Sequence, residues 1–146
     1  MLVKLEQRLA STDDISWLIE LRRKTMLRYL EDSGLDVSES SLRDRVLHRF
    51  DLAQIIYCAT ERIGMIKVDR SPELWTVIQI QIFPQFQGRG IASRLINQIV
   101  SKAHGSSIGV GLSVLKVNPA RSLYERLGFI VLSEDEHSYE MQNKWD

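Results

Sequence analysis

Gln87-Gly88-Arg89-Gly90-Ile91-Ala92 decides how the rest of the chain is read. An apolar, strand-like run from Trp75 to Phe83 leads into it. An amphipathic helix follows, with Ile91, Leu95, Ile96, Ile99 and Val100 on one face and an end near His104-Gly105. Two glycines one residue apart, just ahead of a helix, expose successive backbone N–H groups. The first helical turn adds donors that have no intrahelical partner, together with the positive end of the helix dipole. Such a loop is a cradle for phosphate oxygens, formed here by the N–H groups of Gly88 to Ser93. Gly88 and Gly90 let the backbone approach an anion with no Cβ in the way. The stretch therefore points to a nucleotide-like ligand bearing a pyrophosphate.

Two common anion loops are excluded. The chain has no Gly-x-x-x-x-Gly-Lys-Ser/Thr, and it lacks the third glycine and the downstream ribose-binding acid of a dinucleotide fingerprint.

Working outward, Leu2 to Leu9 alternates and predicts a half-buried first strand. Ser11-Thr12-Asp13-Asp14 offers caps for a helix carrying Ile15, Leu18, Ile19, Leu21 and Met26 through about Leu30, ended by Glu31-Asp32-Ser33-Gly34. Ser38 to Ser41 starts a second helix with Leu42, Val46, Leu47 and Phe50 on one face. Strands are predicted over Gln54 to Thr60, Ile63 to Val68 and Trp75 to Phe83, with corners at Glu61-Arg62 and Ser71-Pro72-Glu73. Ile108 to Val117 reads as a strand parallel to Trp75–Phe83, because a helix-length crossover joins them. Phe129 to Leu132 and Ser138 to Met141 read as a closing antiparallel pair.

Between those last elements stands Asn118-Pro119-Ala120-Arg121-Ser122-Leu123-Tyr124-Glu125-Arg126-Leu127-Gly128-Phe129. It reads as a strand end, a polar turn, a short helix begun by Pro119 and a stop at Gly128. In this order, the two segments resemble the GCN5-related N-acetyltransferases. That family's Gln/Arg-x-x-Gly-x-Gly/Ala signature is matched by Gln87, Gly90 and Ala92. Its Asn, Ala, Leu-Tyr-Glu-x-Leu-Gly-Phe signature is matched from Asn118 to Phe129, with Asn118 one residue closer to Tyr124 than is usual. The resemblance implies an α/β fold with a mixed sheet of about six or seven strands and helices on both faces. It makes residues 1–146 a single N-acetyltransferase domain.

It also implies acetyl-coenzyme A as co-substrate. Gln87, Gly88, Arg89, Gly90, Ile91, Ala92 and Ser93 would hold the pyrophosphate, Arg89 adding charge. Backbone groups of Ile80, Gln81 and Ile82 would hold the pantetheine arm and polarise the thioester, as an oxyanion hole does. Asn118 joins this cofactor set. Tyr124 becomes the general acid toward the departing thiolate. A phenol pKa near ~10 against a thiol near ~8.5 leaves ~2 kcal/mol uphill, which a modest local shift would remove.

The base is less defined. An amine of pKa ~10.4 costs roughly 5 kcal/mol to neutralise at pH 7. The strand before the cradle offers Gln79 and Gln81, which cannot take a proton but can orient a substrate or water, or serve the sheet alone. His137, entering the last strand, and Glu31, placed in the loop between the first two helices, are the candidate bases. His48, His104 and His137 lack metal-ligand spacing.

The whole chain sets further bounds. Its 146 residues suit one core, with 44% hydrophobic residues and 19 basic against 19 acidic side chains, so no basic stripe suggests nucleic acid. Cys58, in the apolar run Ile55 to Ala59, is the only cysteine and reads as a buried thiol, which argues against a covalent intermediate. Without a signal-peptide core or a run near the ~20 apolar residues of a membrane span, a cytoplasmic protein is expected.

Two functional readings stay open. One is direct acetyl transfer in a ternary complex to a small-molecule amine or a protein amino group, in a monomer or, as in many relatives, a homodimer. The other is a catalytically degenerate acyl-coenzyme A sensor. Acceptor identity is not encoded in any motif.

Overall fold

The computed structural model describes residues 4–146, so Leu2 and Val3 of the expected first strand lie outside the described residues. Strands β1 (Leu5–Leu9), β2 (Ala53–Cys58), β3 (Glu61–Arg70), β4 (Leu74–Ile82), β5 (Gly109–Leu115), β6 (Ile130–Glu134) and β7 (Ser138–Asn143) form a seven-stranded sheet in the order β1-β2-β3-β4-β5-β7-β6. The helices are α1 (Ile15–Asp32), α2 (Glu39–Leu47), α3 (Ile91–Gly105) and α4 (Ala120–Arg126). Neighbours pair antiparallel in β1/β2, β2/β3, β5/β7 and β6/β7. The β4/β5 pair is parallel, as the crossover length requires. The mixed α/β class follows.

Two compact units share strands β3 and β4. The first runs through Lys67 and takes in Gln79–Arg89; the second comprises Val68–Ile78 and Gly90–Asp146. In the first, α1 starts after a 3₁₀ turn in which the Ser11 N–H donates to Asp14 Oδ2 at 2.9 Å. Helix α2 is capped by Ser38 Oγ, which accepts from the Ser41 N–H at 3.2 Å. Leu18, Leu21, Leu42, Val46, Ile55, Ile63 and Met65 supply the core. In the second, α3 buries Ile91, Leu95, Ile96, Ile99, Val100 and Ala103, the stripe expected of an amphipathic helix. It packs on β5.

Several local expectations need correction. Strand β1 is an edge strand with one neighbour, and Leu9 is 62% exposed, so the alternation does not make it half-buried. Helix α1 runs on to Asp32, which puts Glu31 in its last turn rather than in a loop. Helix α2 stops at Leu47, leaving Leu47 exposed and Phe50 in a 3₁₀ turn. The β2–β3 corner is Ala59-Thr60, with Ala59 at φ +57°, while Glu61 and Arg62 already belong to β3. Cys58, the last residue of β2, is half-buried rather than sealed. No helix among the described residues is long and apolar enough to cross a membrane.

Candidate active site

The approach to the cradle is built by hydrogen bonds. The Phe83 N–H donates to Ile63 O at 2.8 Å, anchoring the end of β4 to β3. A 3₁₀ turn, Pro84–Phe86, follows, and the Gln87 N–H closes it on Pro84 O at 3.1 Å. Gln87 Nε2 then reaches back to Ile82 O at 2.8 Å. Arg89 lies over the Phe86 ring and donates to Gln85 O at 3.3 Å.

Gly88 and Gly90 hold φ +77° and +74°, a region that side chains with a Cβ rarely adopt, and a Cβ at either would meet nothing within 4 Å. The space beside the loop is open rather than filled by protein. The first α-helical bond runs from the Arg94 N–H to Gly90 O at 3.0 Å. The N–H groups of Gly88, Arg89, Gly90, Ile91, Ala92 and Ser93 precede it and have no protein acceptor among the described residues. A continuous run of free amides at the positive end of a four-turn helix, with open space beside it, fits a diphosphate.

On the strand side, the β4/β5 ladder joins Leu74–Val77 to Gly109–Leu112, and both strands continue beyond it. Ile80 is half-buried, and Gln81 and Ile82 are buried. Gln79 Nε2 donates to Arg45 O at 3.1 Å, so this side chain serves the structure with its nitrogen and leaves its oxygen unmatched.

In the second unit, Asn118 Oδ1 accepts from the Ala120 N–H at 2.9 Å, closing an Asx turn over Pro119 at the start of α4. That bond occupies the oxygen of a residue expected in the cofactor set. Pro119 stands at the N-cap of α4, and the helix stops before Gly128. Asn143 Nδ2 donates to Leu127 O at 2.9 Å, fixing the end of α4 to β7. These bonds place Tyr124, which is 9% exposed, with its ring 6.0 Å from that of Phe129. The hydroxyl has no hydrogen-bond partner among the described residues.

Burial pushes the Tyr124 phenol up to about 12. The shift therefore runs opposite to the one that would ease proton transfer to a thiolate. The gap widens from ~1.5 to ~3.5 units, roughly 5 kcal/mol. A phenol of this kind stays protonated throughout the working pH range and acts best as a hydrogen-bond donor to developing charge on sulfur.

His137 sits in the turn before β7, half-buried, with Nε2 3.7 Å from Glu136 Oε2. Its backbone is pinned at both ends: its N–H donates to Asp135 Oδ1 at 2.9 Å and its carbonyl accepts from the Lys116 N–H at 2.8 Å. Donation from the His137 and Ser138 N–H groups holds the Asp135 carboxyl below its usual range. Glu31, on the exposed face of α1, makes no side-chain bond. No group of His, Cys, Asp and Glu among the described residues could hold a metal ion.

Two buried cations escaped the sequence reading. Arg22 is 4% exposed, and burial together with the charge of Arg45 lowers its guanidinium to about 10. Lys67 is fully buried and lowered to about 8 by burial and by the charges of Arg22 and Arg45. The signal was available for Arg22. It follows Leu18 by four residues and Ile19 by three, and so sits on the buried stripe of α1.

Comparison with known proteins places the fold. Several solved structures share the fold. PaiA N-acetyltransferase from Thermoplasma acidophilum, in complex with coenzyme A, aligns at 19% identity over 97% of this chain and 99% of that one, with a TM-score of 0.74. The ribosomal-protein-S18-alanine N-acetyltransferase from Escherichia coli aligns at 15% identity over 98% and 96%, TM-score 0.69. N-acetylglutamate synthase from Neisseria gonorrhoeae, complexed with coenzyme A and N-acetyl-glutamate, aligns at 19% identity over 100% of this chain and 36% of that one, TM-score 0.70. No curated protein matches by sequence. The profile of the acetyltransferase (GNAT) domain matches residues 52–131, a span that contains the cradle, β4, Asn118 and Tyr124. With more than half of its length matched, the chain belongs to the acetyltransferase (GNAT) family.

Proposed function

We propose that the protein is an N-acetyltransferase that moves the acetyl group of acetyl-coenzyme A to a primary amine by direct attack, the whole chain working as a single catalytic domain. The observation that carries this reading is the unbroken run of free N–H groups from Gly88 to Ser93 at the start of α3. These amides hold the diphosphate, helped by the Arg89 guanidinium. Gln87 shapes the loop through its bond to Ile82 O and keeps a second amide N–H and its oxygen for the ligand. Backbone groups of Ile80, Gln81 and Ile82 hold the pantetheine arm and polarise the thioester oxygen.

The acceptor ammonium first loses a proton, to solvent or through His137 or Glu31. The neutral nitrogen attacks the thioester carbon, a C–N bond forms and the C–S bond breaks. The nitrogen gives up its second proton to water, the Tyr124 hydroxyl donates a hydrogen bond to the charge developing on sulfur, and the thiolate takes a proton from water to leave as the thiol of coenzyme A. Direct attack needs no covalent enzyme intermediate, and Cys58, at the end of β2, is given no role.

The neutral side chains of Gln79 and Gln81 and the raised phenol of Tyr124 favour one second reading, a binding module that holds acyl-coenzyme A without turning it over. Free-thiol release from acetyl-coenzyme A, measured across a broad amine panel with mass analysis of the products, separates the two. Amine-dependent thiol release with an acetylated product supports the enzyme. Tight coenzyme A binding with no release for any amine supports the module. Absence of coenzyme A binding sinks both.

A further inference from the structure

Arg22 on α1, Lys67 on β3, and Gln79 and Gln81 on β4 are all buried within the first unit. The two cations are accommodated differently. Lys67 has three ammonium hydrogens and three acceptors: Arg45 O at 3.2 Å, Val46 O at 2.9 Å and His48 O, at the negative end of α2. Arg22 has five N–H donors and no acceptor among the described residues, and its Nε is sealed from solvent. The charges close enough to act on it are those of Arg45 and Lys67, both positive. A guanidinium so buried, with no anion beside it, is expensive to keep.

Unmatched acceptors stand in the same cluster. Gln79 Nε2 and Lys67 Nζ converge on one carbonyl, Arg45 O, which fixes the Gln79 amide and leaves its Oε1 buried without a donor. Gln81 Oε1, two residues along the same strand face, is buried and unmatched as well. The cluster therefore lacks one anion and a few N–H donors.

We propose that this cluster recognises the acceptor, and that the acceptor is a small primary amine carrying a carboxylate: the Arg22 guanidinium binds the carboxylate, and the Gln79 and Gln81 carbonyl oxygens accept from the amine end. The proposal rests on the acyltransferase reading. A carboxylate matches the planar fork of a guanidinium. Polyamines and aminoglycosides carry only positive charge and would meet the cations of Arg22, Arg45 and Lys67, against which stands Asp51, acting on Lys67.

The test compares matched acceptors on the intact protein: a panel of amino acids, the corresponding carboxamides and a linear polyamine, with coenzyme A affinity measured by calorimetry for every protein used. The wild type is expected to favour the carboxylates over the carboxamides about ten- to a hundredfold in kcat/KM. Arg22→Gln should bring that ratio near one, and Arg22→Lys should keep part of it. The wild-type comparison stands even if the variants fail to fold. Carboxamides or the polyamine acetylated as well as the carboxylates would overturn the proposal. So would a ratio that survives Arg22→Gln in a variant that still binds coenzyme A, or inhibition by inorganic phosphate with no response to carboxylates. If the wild type binds coenzyme A but acetylates nothing, calorimetric binding of amino acids to that complex decides, and its absence overturns the site. Failure to bind coenzyme A overturns the acyltransferase reading itself, and this proposal with it.

Discussion

Replacing Gly90 by Asp puts one negative charge at the N-terminus of α3, where the cradle is proposed to hold a diphosphate. The structural cost of the change is small. A Cβ at Gly90 meets no atom within 4 Å, and the strain is that of an L-residue at φ +74°, about 1 kcal/mol for a residue type that tolerates this region. The helix dipole offsets part of it in the ligand-free protein, so the thermal midpoint should fall by roughly 2–4 °C at most. The binding cost is larger. A carboxylate about 5 Å from one phosphate charge is repelled by ~0.8 kcal/mol at the dielectric of water and ~3.3 kcal/mol at an effective value of 20. With two phosphates in range, at least ~2 kcal/mol is expected, about a thirtyfold rise in the coenzyme A Kd. Calorimetric titration measures it directly. Gly90→Ala carries the strain without the charge and should lose far less, and added salt should narrow the gap between the two variants. A folded Gly90→Asp protein that binds coenzyme A within twofold of the wild type would refute the cradle assignment.

Tyr124→Phe should leave the thermal midpoint almost unchanged, because the hydroxyl bonds to no described residue, while turnover on a real acceptor falls by ~10²-fold. With the phenol near 12, the wild-type rate should show no descending limb from this group between pH 9 and 11, since the protonated donor persists as pH rises to its folded pKa; a limb there that vanishes in the Phe variant would contradict the burial argument. Lys67→Met leaves the carbonyls of Arg45, Val46 and His48 buried without their donor, and should cost about 3 kcal/mol in a urea titration at pH 7; an unchanged midpoint would show that the ammonium is dispensable. Gly64→Ala drives a Cβ to 2.5 Å from Gln81 O and 2.8 Å from Ile82 Cδ1, so β3 and β4 must separate, at about 1–3 kcal/mol; wild-type stability would mean that the strands yield freely.

The cradle, the α3 stripe and the parallel β4/β5 pair were legible because each rests on a local pattern: glycines before an amphipathic run, or a crossover of helix length. The Leu-Tyr-Glu helix was legible for the same reason, between Pro119 and Gly128. What could not be read is set by partners distant in sequence. Leu9 alternates correctly but lies on an edge strand. The ends of α1 and α2 shifted because the backbone, rather than apolar spacing, stops a helix: Ser33 after Asp32 keeps helical angles and Gly34 turns the chain at φ +71°, while His48 leaves the helical region directly after Leu47. In the candidate site, the Tyr124 pKa depends on burial that no local motif encodes. Gln79 and Gln81 read equally as orienting and as structural residues, and only the structure shows that their oxygens are buried without donors and that Gln79 shares the Arg45 carbonyl with Lys67.

The bond from Gln87 Nε2 to Ile82 O has a thermodynamic consequence of its own. It ties the loop to the end of β4 across the 3₁₀ turn, so the segment loses its freedom when the chain folds rather than when a ligand arrives. Freezing a flexible side chain on binding costs about 0.5–1.5 kcal/mol, and ordering a loop adds to that. Here that entropy is already gone before encounter. If the proposed diphosphate binds here, the Ile82–Gln87 segment needs no ordering, and the disorder surrendered on binding belongs to the ligand's own long arm.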